Sequence, residues 1–178
     1  MTWRRGYGLA FALAAAIAIA AGVLWRQLVT DALPESPPRD GGTLLALALP
    51  DPTGTEQPLG QWKGKVLIVN FWATWCEPCK EEMPRFMKLQ NDYGSKGLQF
   101  VGIAIDQPDK VRSYAKELGL NYPTLVGGYG AIELSRTLGN QLGALPFTVV
   151  LDRAGGVIHT QLGPLKDAQL QAIIKQLV

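Results

Sequence analysis

The stretch KVLIVNFWATWCEPC, residues 65–79, runs from an apolar segment directly into the only two cysteines of the 178-residue chain, Cys76 and Cys79. Its first part, residues 65–71, is rich in Val and Ile and predicts a strand that is covered on both faces of a sheet. From residue 80 to residue 93 the apolar side chains recur with helical spacing instead. The cysteines are therefore predicted to lie at a junction between a strand and a helix.

The two-residue spacing of the cysteines favours redox chemistry. A thiol at the N-terminus of a helix lies at the positive end of the helix dipole, and a second thiol about one turn later is close enough to form a disulfide with it. Three other interpretations stay open on the residues alone. Zinc requires further ligands, whereas the chain adds only His159. A structural disulfide closes too short a loop to stabilise much. Inert buried thiols are disfavoured by the neighbouring polar Glu77 and Lys80.

These residues resemble the thioredoxin superfamily, and within it the membrane-anchored TlpA/ResA-like thiol-disulfide oxidoreductases. The matching segments are VNFWATWCEPC (residues 69–79), KEEMP (residues 80–84) and LPFTVVLD (residues 145–152). With the flanking elements, the resemblance covers residues 43–178. It implies an α/β, thioredoxin-like fold, with a central mixed sheet flanked by helices, an added N-terminal β-hairpin and a central insertion near residues 108–118.

The resemblance implies that Cys76 is the nucleophile, that Cys79 resolves the mixed disulfide, and that the two form a redox-active disulfide. The carboxylate of Glu77 disfavours a second negative charge nearby, so we expect a less acidic thiol than in a strongly oxidising relative. Glu82, three residues after Cys79, is implied to handle the proton of the resolving thiol and is expected to be partly buried; by itself the residue is equally compatible with an exposed helix carboxylate. Asn70 stands where many thioredoxins have a buried acid, and since an amide does not titrate, more of the proton chemistry is expected at Glu82.

Pro146 precedes a second apolar run, residues 147–151, and marks the start of a strand. In the family the matching proline has a cis peptide bond and faces the disulfide, where the residue before it pairs with an extended substrate. An ordinary trans proline is what the residue alone favours. The residues predicted to contact a substrate are Trp75, Glu77, Pro78, Leu145 and Pro146.

The other elements are predicted from alternation, helical periodicity and turn residues. Residues 43–49 and 56–59 are predicted to pair as the N-terminal hairpin. Further strands are predicted at residues 98–105, 149–151 and 156–162, and helices at residues 80–93, 108–118, 131–138 and 166–178.

The N-terminus predicts a membrane anchor. Residues 6–25 carry no charge and supply about the 20 apolar residues that cross a bilayer. Arg4 and Arg5 precede them, which keeps that end in the cytoplasm and exports the rest. Residues 1–26 are therefore predicted to be a single transmembrane helix, with a cleaved signal peptide as the alternative. Residues 27–42 are predicted to be a Pro- and Gly-containing linker, and residues 43–178 a single thioredoxin-like domain.

The charge and the residue composition limit the classes of partner that can be expected. The net charge is +2 and no basic patch is interleaved with aromatic residues, so a nucleic-acid partner is not expected; neither a metal nor a cofactor is predicted. Both cysteines lie in one motif, which in an exported protein favours catalysis over structural cross-linking.

The sequence thus predicts an enzyme on the outer face of a bacterial cytoplasmic membrane, facing the periplasm or the cell exterior, that exchanges its dithiol with cysteines of exported client proteins. The resemblance implies reduction of clients in cytochrome c maturation or copper-site assembly, with a membrane thiol-electron donor that recharges the enzyme. A thiol oxidant, or a chaperone that binds copper or an apoprotein, are the alternatives. A peroxidase ranks last.

Overall fold

The computed structural model describes residues 18–23 and 41–178. Residues 18–23 are helical and exposed. No helix within these two described ranges combines the length and the apolar character that crossing a membrane demands. Most of the predicted anchor, residues 1–26, and most of the predicted linker, residues 27–42, lies outside the described residues.

The folded unit begins with helix α1 (Gly42–Leu45), followed by a two-stranded antiparallel sheet of β1 (Ala48–Pro50) and β2 (Glu56–Pro58). The hairpin was predicted to start at residue 43, and this is wrong for its first residues. They turn into a helix because Leu44 is fully buried there, and the N–H of Leu45 donates to the carbonyl of Gly41 at 2.9 Å.

The glycine at the end of the predicted linker is part of this folded unit. Gly41 is buried, and a Cβ atom at this position would lie 2.2 Å from the carbonyl oxygen of Gly155. Only a residue without a side chain allows so close an approach of two backbone segments.

The central sheet has five strands in the order β5-β4-β3-β6-β7. β3, β4 and β5 are parallel, whereas β6 is antiparallel to β3 and β7 is antiparallel to β6. The predicted mixed sheet is therefore confirmed. The strands are β3 (Val66–Trp72), β4 (Leu98–Ala104), β5 (Thr124–Val126), β6 (Phe147–Leu151) and β7 (Val157–Leu162).

The helices begin and end within three residues of their predicted bounds. The largest difference is at the cysteines, where the helix begins at residue 77 instead of 80 because Cys76 is the N-cap and Pro78 suits the first turn. The helices are α2 (Glu77–Tyr93), α3 (Pro108–Leu118), α4 (Gly130–Thr137) and α5 (Asp167–Leu177).

Two apolar clusters contain alternate residues of β3, all seven of whose residues are buried. Because side chains alternate across a strand, Val66, Ile68 and Trp72 belong to the cluster that includes residues of α2, whereas Leu67 and Phe71 belong to the other. Asn70 is an even-numbered residue of β3, like Val66, Ile68 and Trp72. Its side chain therefore lies on the face of the sheet that packs against α2, the helix that begins at the cysteines.

Candidate active site around Cys76 and Cys79

Cys76 and Cys79 form a disulfide, with 2.03 Å between the two Sγ atoms. Cys76 is the N-cap of α2, and its carbonyl accepts hydrogen bonds from the N–H groups of Cys79 at 3.1 Å and Lys80 at 3.2 Å. The central strand β3 ends at Trp72, four residues before Cys76. The first turn of α2 then places the sulfur of Cys79 next to that of Cys76.

The sulfur atoms are more buried than the sequence predicted. Cys76 is 6% exposed and Cys79 is fully buried, although the polar neighbours Glu77 and Lys80 argued against burial. The reason is that these two side chains lie toward solvent and pair with each other, with 2.6 Å between Nζ and Oε2. Both sulfurs pack instead within the apolar cluster on the α2 side of the sheet.

The ion pair also changes the expected effect of Glu77 on the nucleophile. The hydrogen bond to Glu77 raises the pKa of Lys80 and keeps it charged, so a cation lies beside the carboxylate. The two opposite charges offset each other next to Cys76. The helix N-terminus therefore remains the main stabilising influence on a Cys76 thiolate, and burial opposes it.

Glu82 lies on the inner side of α2, one turn beyond Cys79, and is fully buried rather than partly buried. Its Oε1 accepts from the side-chain amide of Asn70 at 2.9 Å, and its Oε2 accepts from the N–H of Leu165 at 3.2 Å. Burial raises the pKa of Glu82 from its ordinary value of 4.5 to about 7, against the lowering effects of these two hydrogen bonds and of the Arg85 charge. The group can therefore both take up and release a proton near neutral pH.

Asn70 connects Glu82 to the neighbouring strand. Its Nδ2 donates to Glu82 and also to Oγ1 of Thr148 at 3.0 Å, while its own Oδ1 is buried without a hydrogen-bond partner. Asn70 and Thr148 face each other in the register of β3 and β6. Thr148 was not predicted as part of the site, although a polar residue in the apolar run 147–151 could have signalled this contact.

The peptide bond between Leu145 and Pro146 is cis. Pro146 is buried at the start of β6, and its carbonyl accepts from the N–H of Gly163 at 2.8 Å. Leu145 is half-buried and packs against the cluster that contains both cysteines. The predicted substrate-contacting segment 145–146 therefore lies at the start of β6, and Leu145 packs against the second apolar cluster as well.

The outer face of the site is open and carries exposed aromatic side chains among polar ones. Trp75 is 67% exposed, and Glu77 and Pro78 are exposed next to it. Trp75 lines a groove of about 370 Å³, on which Tyr129 also lies with 87% of its surface exposed. Tyr129 was missed in the sequence, where it stands among glycines without a pattern that marks it as functional.

Asp106, which follows the carboxyl end of β4, accepts hydrogen bonds from the loop that precedes the cysteines. Its Oδ2 accepts from both the N–H and the hydroxyl of Thr74, and its Oδ1 accepts from the N–H of Gln107 at 2.8 Å. Burial favours a higher pKa for Asp106, but the hydrogen bonds from Thr74 and Gln107 and the charge of Lys110 outweigh it and hold the pKa below its ordinary value. Asp106 directly follows the predicted strand 98–105, and no role was predicted for it.

The described residues, 18–23 and 41–178, contain no group of three or more His, Cys, Asp or Glu side chains that could hold a metal ion. The site that they do contain combines a disulfide, a buried acid and an open groove lined in part by aromatic side chains.

Comparison with known proteins agrees with this geometry. The Redoxin family model matches residues 29–174. The thiol-disulfide oxidoreductase ResA of Bacillus thuringiensis is 30% identical over 135 residues, which cover 71% of this chain and 72% of that protein. The thioredoxin-like protein YneN of Bacillus subtilis is 31% identical over 67% of this chain and 69% of its own length.

A solved structure is similar to this chain in fold as well as in sequence. The thiol:disulfide interchange protein of the thioredoxin family from Chlorobium tepidum superposes with a TM-score of 0.66 at 32% identity, covering 74% of this chain and 92% of that one. The family match spans most of the chain, and the disulfide lies where such an enzyme requires it. This chain therefore belongs to the Redoxin family and is a TlpA/ResA-like thiol-disulfide oxidoreductase of the thioredoxin superfamily, which acts on thiol-containing client proteins.

Proposed function

We propose that this enzyme reduces disulfides in exported client proteins. The observation that carries the direction is the environment of Cys76, which is 6% exposed and lies beside the mutually neutralising pair of Glu77 and Lys80. A strong oxidant requires a strongly stabilised thiolate in its reduced form. Here the helix N-terminus stabilises the thiolate and burial opposes it, so the disulfide is the comparatively stable form and the dithiol gives up its electrons readily.

The reaction has two thiol-disulfide exchanges. First, the Cys76 thiolate attacks one sulfur of the client disulfide, so that a Cys76–client mixed disulfide forms and the other client sulfur leaves as a thiolate. Second, the Cys79 thiol gives its proton to the Glu82 carboxylate and attacks the Sγ of Cys76. The mixed disulfide breaks, the second client sulfur leaves, and the Cys76–Cys79 disulfide forms. Two electrons have passed from the dithiol to the client.

The pKa of Glu82 suits this second step. With a value of about 7, a large fraction of Glu82 is ionised and able to accept the Cys79 proton near neutral pH, and the acid so formed can release the proton again when the enzyme is recharged. Burial of both Cys79 and Glu82 keeps bulk water from competing for that proton.

The client lies across the outer face. An extended client segment would pair with the backbone at Leu145 and Pro146, while an apolar side chain next to its cysteine would enter the groove between Trp75 and Tyr129. Exposed aromatic side chains beside a reactive group are typical of surfaces that bind other proteins. We include Glu77 and Pro78 in this surface because both are exposed and follow Trp75 closely in the chain.

We also propose where the enzyme is located and which proteins are its partners. The uncharged apolar residues 6–25 support a single membrane anchor with the catalytic domain on the periplasmic or outer side of the cytoplasmic membrane. There, the clients would be apoproteins of cytochrome c maturation or of copper-site assembly. A reductant in that compartment must be recharged, which requires a membrane thiol-electron donor. A fusion of alkaline phosphatase to the C-terminus should be active if this orientation is correct and inactive if it is not.

Redox equilibration of the full-length protein with glutathione buffers tests the direction. We expect a reduction potential more negative than about −230 mV, below the glutaredoxin range. A potential near about −120 mV, that of a strong periplasmic oxidant, would show that the enzyme oxidises its clients instead.

Trapping tests the roles of the two sulfurs and names the clients. Cys79→Ser should accumulate mixed disulfides through Cys76, because the resolving thiol is missing. The matched control is Cys76→Ser, which leaves only the fully buried Cys79 and should trap nothing. Equal trapping by Cys76→Ser would reverse the assigned roles.

A further inference from the structure

The hydrogen bonds around Glu82 fit only one of its two protonation states. As arranged, Oε1 faces the Nδ2 of Asn70 and Oε2 faces the N–H of Leu165, so both oxygens face donors. This suits a carboxylate. A protonated Glu82 carries an O–H that needs an acceptor, and a donor opposite it leaves two buried hydrogens in contact.

The backbone fixes which oxygen must change partners. The N–H of Leu165 belongs to the main chain and can only donate, so the proton is excluded from Oε2 and must reside on Oε1. Oε1 faces Asn70, whose amide carries a donor and an acceptor on the same planar group. The acceptor, Oδ1, is buried and without a partner.

We propose that Asn70 is a positioning residue whose side-chain amide turns over each time Glu82 gains or loses the proton of the resolving thiol. With Glu82 ionised, Nδ2 donates to Oε1, as observed. With Glu82 protonated, Oδ1 takes the place of Nδ2 and accepts the hydrogen bond from the Oε1–H group. The inference rests on the proton-accepting role of Glu82 proposed above.

Thr148 makes the rotation feasible because a hydroxyl both accepts and donates. Its Oγ1 now accepts from Nδ2 of Asn70 at 3.0 Å. After the amide has turned, the same hydroxyl can donate to Oδ1 from the same place. An amide and a hydroxyl thus serve both protonation states, whereas a carboxylate at position 70 would add a second titrating group.

Few other charged or titratable groups face Glu82 from the packed elements that the structure describes. Arg85, on α2 itself, acts on it through its charge while pairing with Asp167 of α5 at 2.8 Å. The buried Tyr122, which precedes β5, is coupled to Glu82 electrostatically, and burial holds the pKa of this phenol far above its ordinary range, so it stays neutral. Cys79 is the remaining group, and in the oxidised protein it does not titrate.

Nuclear magnetic resonance of the oxidised, full-length protein in detergent micelles tests the rotation without any variant. The disulfide removes both thiol titrations, so a change between about pH 5 and pH 9 reports on Glu82. We expect the Cδ of Glu82 and the side-chain amide of Asn70 to change with one shared midpoint. Above it the amide protons should show a nuclear Overhauser contact with the Thr148 side chain, and below it this contact should be lost.

Two results would count against different parts of the idea. If Glu82 titrates in this range while the contact of the Asn70 amide with Thr148 persists throughout, the amide is a fixed donor and the inference is wrong. If the Cδ of Glu82 does not change at all in this range, the proton-accepting role of Glu82 fails first. The Glu82→Gln protein serves as the control, because its Asn70 amide should no longer respond to pH.

Kinetics then connects the rotation to the reaction. Thr148→Val removes the group that partners the amide in both orientations, so the rate of client reduction near neutral pH should fall about tenfold, and the pH-rate profile should shift. Thr148→Ser keeps the hydroxyl and should restore both the rate and the profile to nearly those of the unaltered enzyme. An unshifted pH profile in Thr148→Val, or a Thr148→Ser protein as impaired as Thr148→Val, would reduce Thr148 to a packing role.

Discussion

The inner and the outer sides of the disulfide differ in almost every physical respect. On the inner side, Asn70, Glu82 and Thr148 are buried, polar and joined by hydrogen bonds. On the outer side, Trp75 and Tyr129 are exposed, aromatic and separated by an open groove. In the proposed mechanism, the inner groups handle a proton that every exchange must move, whichever client is bound. In the same proposal, the outer groups contact only the client, so they can select among proteins without altering the chemistry.

A single helical turn separates the two environments. Cys76 caps α2 with Trp75 on its solvent side, and the turn that follows directs Cys79 and then Glu82 into the core while Glu77 and Lys80 pair outside. Side chains three residues apart share a helix face, so the resolving sulfur and its acid are placed together by spacing alone. Substitutions on the inner side should therefore change the pH dependence, whereas substitutions on the outer side should change client binding.

The largest effect is expected on the inner side, in the pH dependence of stability. The pKa of Glu82 is about 7 in the folded protein and near its ordinary value of 4.5 when unfolded, so the folded state binds more protons between these values. Stability must then decrease as the pH rises through this window. For Glu82→Gln relative to the unaltered chain, the free energy of unfolding should improve by about 3 kcal/mol from pH 4 to pH 8. Urea unfolding of the oxidised full-length protein at the two pH values measures it.

The control for this comparison is Glu81→Gln. Glu81 is the neighbouring residue of the same helix but is exposed, so removing its charge should leave the pH dependence close to that of the unaltered protein. If both substitutions have the same effect, the pH dependence reflects net charge and the contrast between the inner and outer sides is lost.

On the outer side, Trp75→Ala should weaken client binding about tenfold, because Trp is enriched among the few interface residues whose truncation costs more than about 1 kcal/mol. Catalysis on a small disulfide that does not fill the groove should hardly change. The measurement compares KM and kcat for a protein disulfide and for a small aromatic disulfide.

Ile158→Ala provides the matched control for Trp75→Ala. Ile158 is an exposed apolar residue on β7 that does not line the groove. It should leave both substrates unaffected. If Trp75→Ala slows the protein and the small disulfide equally, Trp75 acts on the cysteines themselves and the outer side is not a separate recognition surface.

The sequence predicted four of the five strands of the central sheet and helices α2 to α5 because these depend on local patterns, but it missed the three-residue strand β5. The nearly continuous apolar run of β3 and the glycine that ends α3 are signals that can be recognised from a few neighbouring residues. Residues 43–45 were predicted wrongly as strand because weak alternation there competes with the burial of Leu44, a contact that no local pattern records.

The site was predictable only in part, for the same physical reason. Cys76, Cys79 and Glu82 lie on one helix, so their spacing was visible in the chain. Thr148 reaches Asn70 from 78 positions away, and Asp106 reaches Thr74 from 32 positions away, through strand pairing and strand ends. The burial of both sulfurs was missed because the outward pairing of Glu77 with Lys80 depends on the direction of side chains, which composition does not give.

The smallest effect is expected where the two sides meet, at Asp106. Its carboxylate holds the Thr74 backbone and hydroxyl, and Thr74 precedes both Trp75 and Cys76. Asp106→Ala should lower the free energy of unfolding by about 1 kcal/mol and slow the enzyme a few-fold, whereas Asp106→Asn keeps an acceptor oxygen and should lose less. Because the loop carries the nucleophile as well as Trp75, protein and small disulfides should slow alike. Slowing of protein clients alone would instead mean that Asp106 acts through the groove, which it lines together with Lys110.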